Sequence, residues 1–115
     1  MTTYPGRVAL QQRVLAAYRA PFFDLLAGAC EGGLSVCAGL PMPGESIAVT
    51  KSLQVAKFHS VQNIHLFRGP FLLCYQRGLS GWLAEWNPDT LITEINPRTI
   101  STTEALKWMK ERDRP

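Results

Sequence analysis

The sequence lacks every short signature that would assign it at once to a nucleotide-dependent or hydrolytic enzyme class. No GxGxxG follows the first apolar run, so the dinucleotide-binding fingerprint is missing. No GxxxxGK[ST] is present to cradle phosphates, and no GxSxG to form a nucleophile elbow. Gly78-Leu79-Ser80-Gly81 comes near the last, but Ser80 falls inside a helical pattern. Cysteine is scarce: Cys30, Cys37 and Cys74 are odd in number and form no CxxC, which argues against a disulfide framework or a zinc site. Each sits in an apolar run and reads as a small core residue. His59 and His65 are six positions apart, off a common helical face, and no cysteine or carboxylate completes a ligand set, so no metal is expected.

Charge is also sparse. Charged residues are 18% of the chain and the net charge is +3, without the dense basic stripe that nucleic acid requires. The loose cluster of Lys107, Lys110, Arg112 and Arg114 reads as a solvated face near a helix C-terminus, where cations are favoured. No run approaches the roughly 18 apolar residues of a spanning helix, and the start, MTTYPGRVALQQ, has no signal-peptide apolar region. These absences predict a soluble, cytoplasmic chain, with peripheral membrane contact left open.

What remains is a globular composition, 46% hydrophobic over 115 residues, enough for one core. Short β-like runs alternate with helical ones, which predicts α/β architecture with a parallel sheet. Strands are expected over 7–15, 34–38, 54–59 and 90–95, with Gln11 and Gln12 interrupting the first and 64–67 as a short extension of the third. Pro21 opens an apolar helix that Gly32-Gly33 ends. Phe71, Tyr75, Leu79, Trp82, Leu83 and Trp86 form one stripe, which predicts a single long helix from Pro70 to Asn87. Its tryptophans, with Trp108, read as core packing. Ser101 and Glu104 read as a capping box for a last helix. The whole is one Rossmann-like half of a doubly wound domain, about four strands flanked by helices. Its last helix leaves no residues for a returning strand, so a piece of a longer domain is expected.

Ligands of such sheets sit beyond the strand carboxyl ends, at the switch in strand order. If that order is 3-2-1-4, the segments after strands one and four face one crevice. Tyr18, Arg19, Glu94, Asn96 and Arg98 are therefore the candidate substrate-binding residues. The arginines match an anion such as phosphate, Glu94 accepts from hydroxyls, and Asn96 supplies an amide. The competing readings are packing for Tyr18, backbone capping for Arg19, and a mutual ion pair for Glu94 and Arg98. A strand-four edge left unpaired predicts a homodimer through 90–95.

At these segments the chain resembles the family 4 glycosyltransferases. The resemblance lies in VLAAYRAPFFDLLA (14–27), GGLSVCAG (32–39), NIHLFRGP (63–70) and TEINPRTISTTEALKWM (93–109), within which YRxPFFxxL and ExNPR are the most characteristic stretches. It implies a retaining enzyme of the GT-B fold, with two Rossmann-like domains, acting on a sugar-nucleotide donor and an acceptor substrate. It also implies that this chain is the first part of the N-terminal, acceptor-side domain. The carboxylate pair that holds the donor would belong to the other domain, and no cofactor or divalent metal is implied. The chain departs from many relatives in having Ala16-Ala17 where they carry a glycine-rich loop, and neither histidine takes the place of the family's active-site histidine. The alternative from another class is a non-catalytic α/β binding or assembly module. The reading frame beyond Pro115 discriminates the two.

Overall fold

The computed structural model describes residues 3–41, 49, 53–66, 73–94 and 99–115. Four strands form a parallel sheet: β1 (Val8–Val14), β2 (Leu34–Gly39), β3 (Lys57–Ser60) and β6 (Thr90–Thr93), in the order β3-β2-β1-β6. A second sheet is an antiparallel hairpin of β4 (Gln62–Leu66) and β5 (Leu73–Arg77). The helices are α1 (Ala20–Gly28), α2 (Leu79–Trp86) and α3 (Thr102–Glu111), and a 3-10 turn at Ala17–Arg19 leads into α1. This is a Rossmann-like α/β arrangement, as the alternation of runs implies.

Strand alternation sorts the core into two layers. Val8, Leu10, Val36 and Ala38 meet Phe23 and Ala27 of α1 on one face. Ala9 and Cys37 meet Leu79, Trp82 and Leu83 of α2 and Ala105 of α3 on the other. β1 is central, buried from Val8 to Gln12, because both neighbours cover its edges and helices cover its faces.

The long helix expected from Pro70 to Asn87 is not formed. Residues 70–72 lie outside the described set, Leu73–Arg77 is strand, and only Leu79–Trp86 is helix. Gly78 separates the two at φ 101°, a left-handed conformation no continuing helix accommodates. Cys74 and Gln76 point inward and Tyr75 and Arg77 outward, the period of a strand. The helical stripe is real only for Leu79, Trp82, Leu83 and Trp86. Residues 62–66 likewise pair with β5, not with β3 as an extension of it. The turn before β3 is held by Asp24, whose carboxylate accepts from the N–H groups of Gln54, Val55 and Ala56 at 2.9–3.1 Å. Those three bonds to the ionised form hold the Asp24 pKa below the usual carboxylate value.

The Ser101–Glu104 capping box does not close. Ser101 stands at the N-cap of α3 without a side-chain cap bond. Its Oγ accepts instead from the Gln76 N–H at 3.0 Å, and Glu104 accepts from Tyr75 Oη at 3.1 Å and from Ser80 Oγ. Both residues therefore tie α3 to β5 and α2 instead of capping its first turn. At the outer edge of β6, Leu91 N–H donates to the Pro115 carbonyl at 3.1 Å. The basic cluster near the end of α3 is partly structural. Arg112 lies 3.8 Å over Trp108, and Arg114 donates to Asn87 Oδ1 at 2.7 Å.

Candidate functional site at the strand tips

β1 and β6 are neighbours, with Val8 beside Thr90 and Gln11 beside Thr93. Strand order therefore reverses at β1, and the segments after β1 and β6 emerge at the same end of the sheet, as expected. Arg19 arrives there on the 3-10 turn. Its Nη1 donates to Gln12 Oε1 at 3.0 Å and its Nε to Tyr18 Oη at 3.2 Å, with the guanidinium 5.5 Å from the Tyr18 ring. Tyr18 is 76% exposed, so it is not packing. Glu94 is half-buried and accepts from Arg13 N–H at 3.4 Å. Arg19 and Glu94 thus border the same end of β1 through successive residues, Gln12 and Arg13. Asn96 and Arg98 lie outside the described residues.

The structure adds residues that pattern reading passed over. Asn63 Nδ2 donates to the carbonyls of Arg13 at 2.5 Å and Leu40 at 3.1 Å, which fixes its Oδ1 toward Gln76. Gln76 Nε2 then donates to Asn63 Oδ1 at 3.1 Å and to the Gln12 carbonyl at 2.8 Å. Its Oε1 accepts from Gln11 Nε2 at 2.7 Å. Each amide orients the next, starting from two backbone carbonyls, so the Gln11 carbonyl oxygen is turned away from the relay. Gln11 Oε1 is buried without a partner among the described residues, as is Thr99 Oγ1. The two residues line one small cleft with Arg13, Glu94 and Thr102. Arg13 Nη1 lies 3.3 Å from His65 Nε2, which places the second histidine at the rim.

The glycine at the end of β2 permits this arrangement. A Cβ on Gly39 would collide with the Asn63 amide, so only glycine lets β4 approach so closely. The available signal in the sequence was the Gln11-Gln12 pair itself. Two adjacent amides inside an apolar strand have 2% and 7% exposure here, and buried amides require partners. Among the described residues no group of three or more His, Cys, Asp or Glu side chains is placed to hold a metal ion. No helix of the described residues is long and apolar enough to cross a membrane.

The architecture and the strand-tip position of its polar side chains define a Rossmann-like α/β protein. In comparisons with protein families, curated proteins and solved structures, none matches the chain.

Proposed function

We propose that this chain is the acceptor-side part of a sugar-nucleotide glycosyltransferase and works in the cytoplasm. The observation that carries the reading is the adjacency of β1 and β6. It brings Gln11, Arg13 and Glu94 to one small cleft at the switch point of the sheet, where ligands of open parallel sheets bind, and Arg19 reaches the same end of β1 through Gln12. The resemblance in 14–27 and 93–109 falls on the same two segments. In this reading Arg19 steadies an anionic group of the acceptor, since its guanidinium retains donors beyond those given to Gln12 and Tyr18. Glu94 accepts a hydrogen from an acceptor hydroxyl. Asn96 and Arg98, expected as further donors, lie outside the described residues. The donor nucleotide is held by polypeptide outside 1–115, so this chain is inactive alone.

The test is sugar transfer by the product of the full reading frame, assayed with radiolabelled uridine and guanosine diphosphate sugars. Arg19→Ala and Glu94→Gln are expected to lower transfer at least tenfold, chiefly by weakening the acceptor. Residues 1–115 alone should bind no nucleoside diphosphate tightly in a calorimeter. Tight binding there would move the donor site onto this chain and overturn the assignment. Self-association through 90–95 belongs to the same proposal and would use the edge groups of β6 other than Leu91 N–H. Light scattering that finds only monomer at high concentration would refute it.

A further inference from the structure

A second depression lies away from the strand tips, between β3 and α2. It measures about 320 Å³, within the range of small-ligand sites, and is lined by Arg7, Ser35, Lys57, Phe58, His59, Trp82, Glu85 and Trp86. β3 is the outer strand of the parallel sheet, and α2 covers β2 beside it. The floor is made of flat rings. Trp82 and His59 are stacked with centroids 6.5 Å apart and 27° between planes. Both indole N–H groups are already used: Trp82 Nε1 donates to Ser35 Oγ at 2.8 Å and Trp86 Nε1 to the Val8 carbonyl at 2.9 Å. Trp82 is 2% exposed and backs the floor, so the half-buried Trp86 and His59 are the rings a ligand meets, and the Trp86 indole offers it apolar surface without a donor.

The donors stand around Trp86. Arg7 lies 5.3 Å and Lys57 4.9 Å from the centroid of that one ring. Arg7 commits Nη1 to the Trp86 carbonyl at 3.0 Å, which fixes its position and leaves the remaining N–H groups available. The Lys57 ammonium has no carboxylate partner among the described residues. Glu85, the lone carboxylate of the lining, accepts no hydrogen bond there either, and it disfavours a ligand with a second negative group. Two cations held at one indole attract an anion more strongly than either alone, and the neighbouring ring surface rewards a planar body.

We propose that this groove is a binding site for a planar aromatic anion, a ring bearing one carboxylate or phosphate group, with the anion at Arg7 and Lys57 and the ring against the half-buried Trp86 and His59. The site is separate from the strand-tip crevice and does not depend on the glycosyltransferase reading.

The test is titration of residues 1–115 with phenyl phosphate, followed by tryptophan fluorescence and by amide NMR shifts. Saturable quenching is expected, with shifts concentrated at 57–59 and 82–86. Lys57 is exposed on an edge strand, so Lys57→Met should fold as the parent does and bind at least tenfold more weakly. Inorganic phosphate and phenol should each bind at least tenfold more weakly than phenyl phosphate. Absence of curvature in the titration up to about 10 mM, the weak limit for a one-ring ligand, would overturn the proposal. So would equal affinity for inorganic phosphate, shifts centred on Glu94, or undiminished binding by the Lys57→Met variant.

Discussion

The parallel sheet and the β4–β5 hairpin are held by different forces. The sheet is clamped between two apolar clusters, with Ala9, Val36 and Cys37 fully buried and helices on both faces. In the hairpin only Cys74 and Gln76 are buried, and Leu66 and Tyr75 are exposed. It docks through amides: Asn63 to two carbonyls, and Gln76 to β1, β4 and Ser101. Apolar burial is strong but non-directional, whereas a hydrogen bond between amides fixes an angle. The contrast places stability in the sheet and orientation in the hairpin.

The largest test of that division is Trp82→Ala. Its 2%-exposed indole joins α2 to the sheet and donates to Ser35, so truncation should cost about 4 kcal/mol by urea denaturation. Loss of the sheet should take the hairpin with it in one transition. Gln76→Leu should cost about 3 kcal/mol, since it leaves Gln11 Nε2, the Gln12 carbonyl and Asn63 Oδ1 without their present partners. Hydrogen exchange separates the two variants. In Gln76→Leu, amides of 62–66 and 73–77 should exchange faster while those of 8–14 stay protected. Uniform acceleration would show that the two regions are one cooperative unit.

The same difference explains what could be read from the sequence. The four strands of the sheet announce themselves as short runs such as LSVCA, and the order 3-2-1-4 supposed for them is the one formed, although right-handed crossovers fix the face each helix takes and not the order. The hairpin has no comparable signature. Its inward positions are a cysteine and a glutamine, and Tyr75 happens to fall on the same helical stripe as Leu79, Trp82 and Trp86, so 73–77 read as helix. The candidate site divides likewise. Arg19 and Glu94 follow from strand order alone. Gln76, Asn63 and His65 come from strands whose pairing was missed, and no spacing along the chain brings 11, 63 and 76 together. Ser101 and Glu104 carried a local capping pattern that tertiary donors outcompeted.

Two smaller effects sharpen the boundary between the regions. Gly78 sits at φ 101° where strand becomes helix, with only Val61 Cγ1 near a prospective Cβ at 3.9 Å. Gly78→Ala should therefore cost about 1.5 kcal/mol through backbone conformation, with little from steric clash. Asp24→Ala removes the acceptor of three N–H groups before β3 and should cost about 1 kcal/mol, reduced by the partial exposure of the site. The sign of its pH dependence is fixed. The folded pKa lies below the unfolded value, so the carboxylate stabilises above about pH 4. That contribution is lost as pH falls through the folded pKa. Parent and Asp24→Ala denaturation curves should converge in acid and separate at neutral pH. A gap that does not narrow in acid would show that the bonds to Gln54, Val55 and Ala56 do not depend on charge.

The least effect on stability at neutral pH, and the most local report on the sheet, comes from Cys37. It has 0% exposure in β2, and burial alone pushes its thiol pKa up to about 12. Cys30, at 8% exposure near the end of α1, is raised by the same cause. An unfolded thiol ionises near pH 8.5, as thiols do in water. Above that pH the unfolded chain sheds a proton that native Cys37 keeps, so stability falls as pH rises. At pH 7 both states hold the proton and nothing changes. Thiolate is the nucleophile, so native Cys37 reacts with iodoacetamide only when the sheet opens. Mass spectrometry at pH 9 should find Cys30 alkylated first and Cys37 at the rate of global unfolding, with urea abolishing the difference. In Gln76→Leu at equal native population, Cys37 labelling should stay at the unfolding rate, because the hairpin can detach without opening β2. Rapid labelling of Cys37 in the folded parent would mean that the sheet is not the rigid member of the pair.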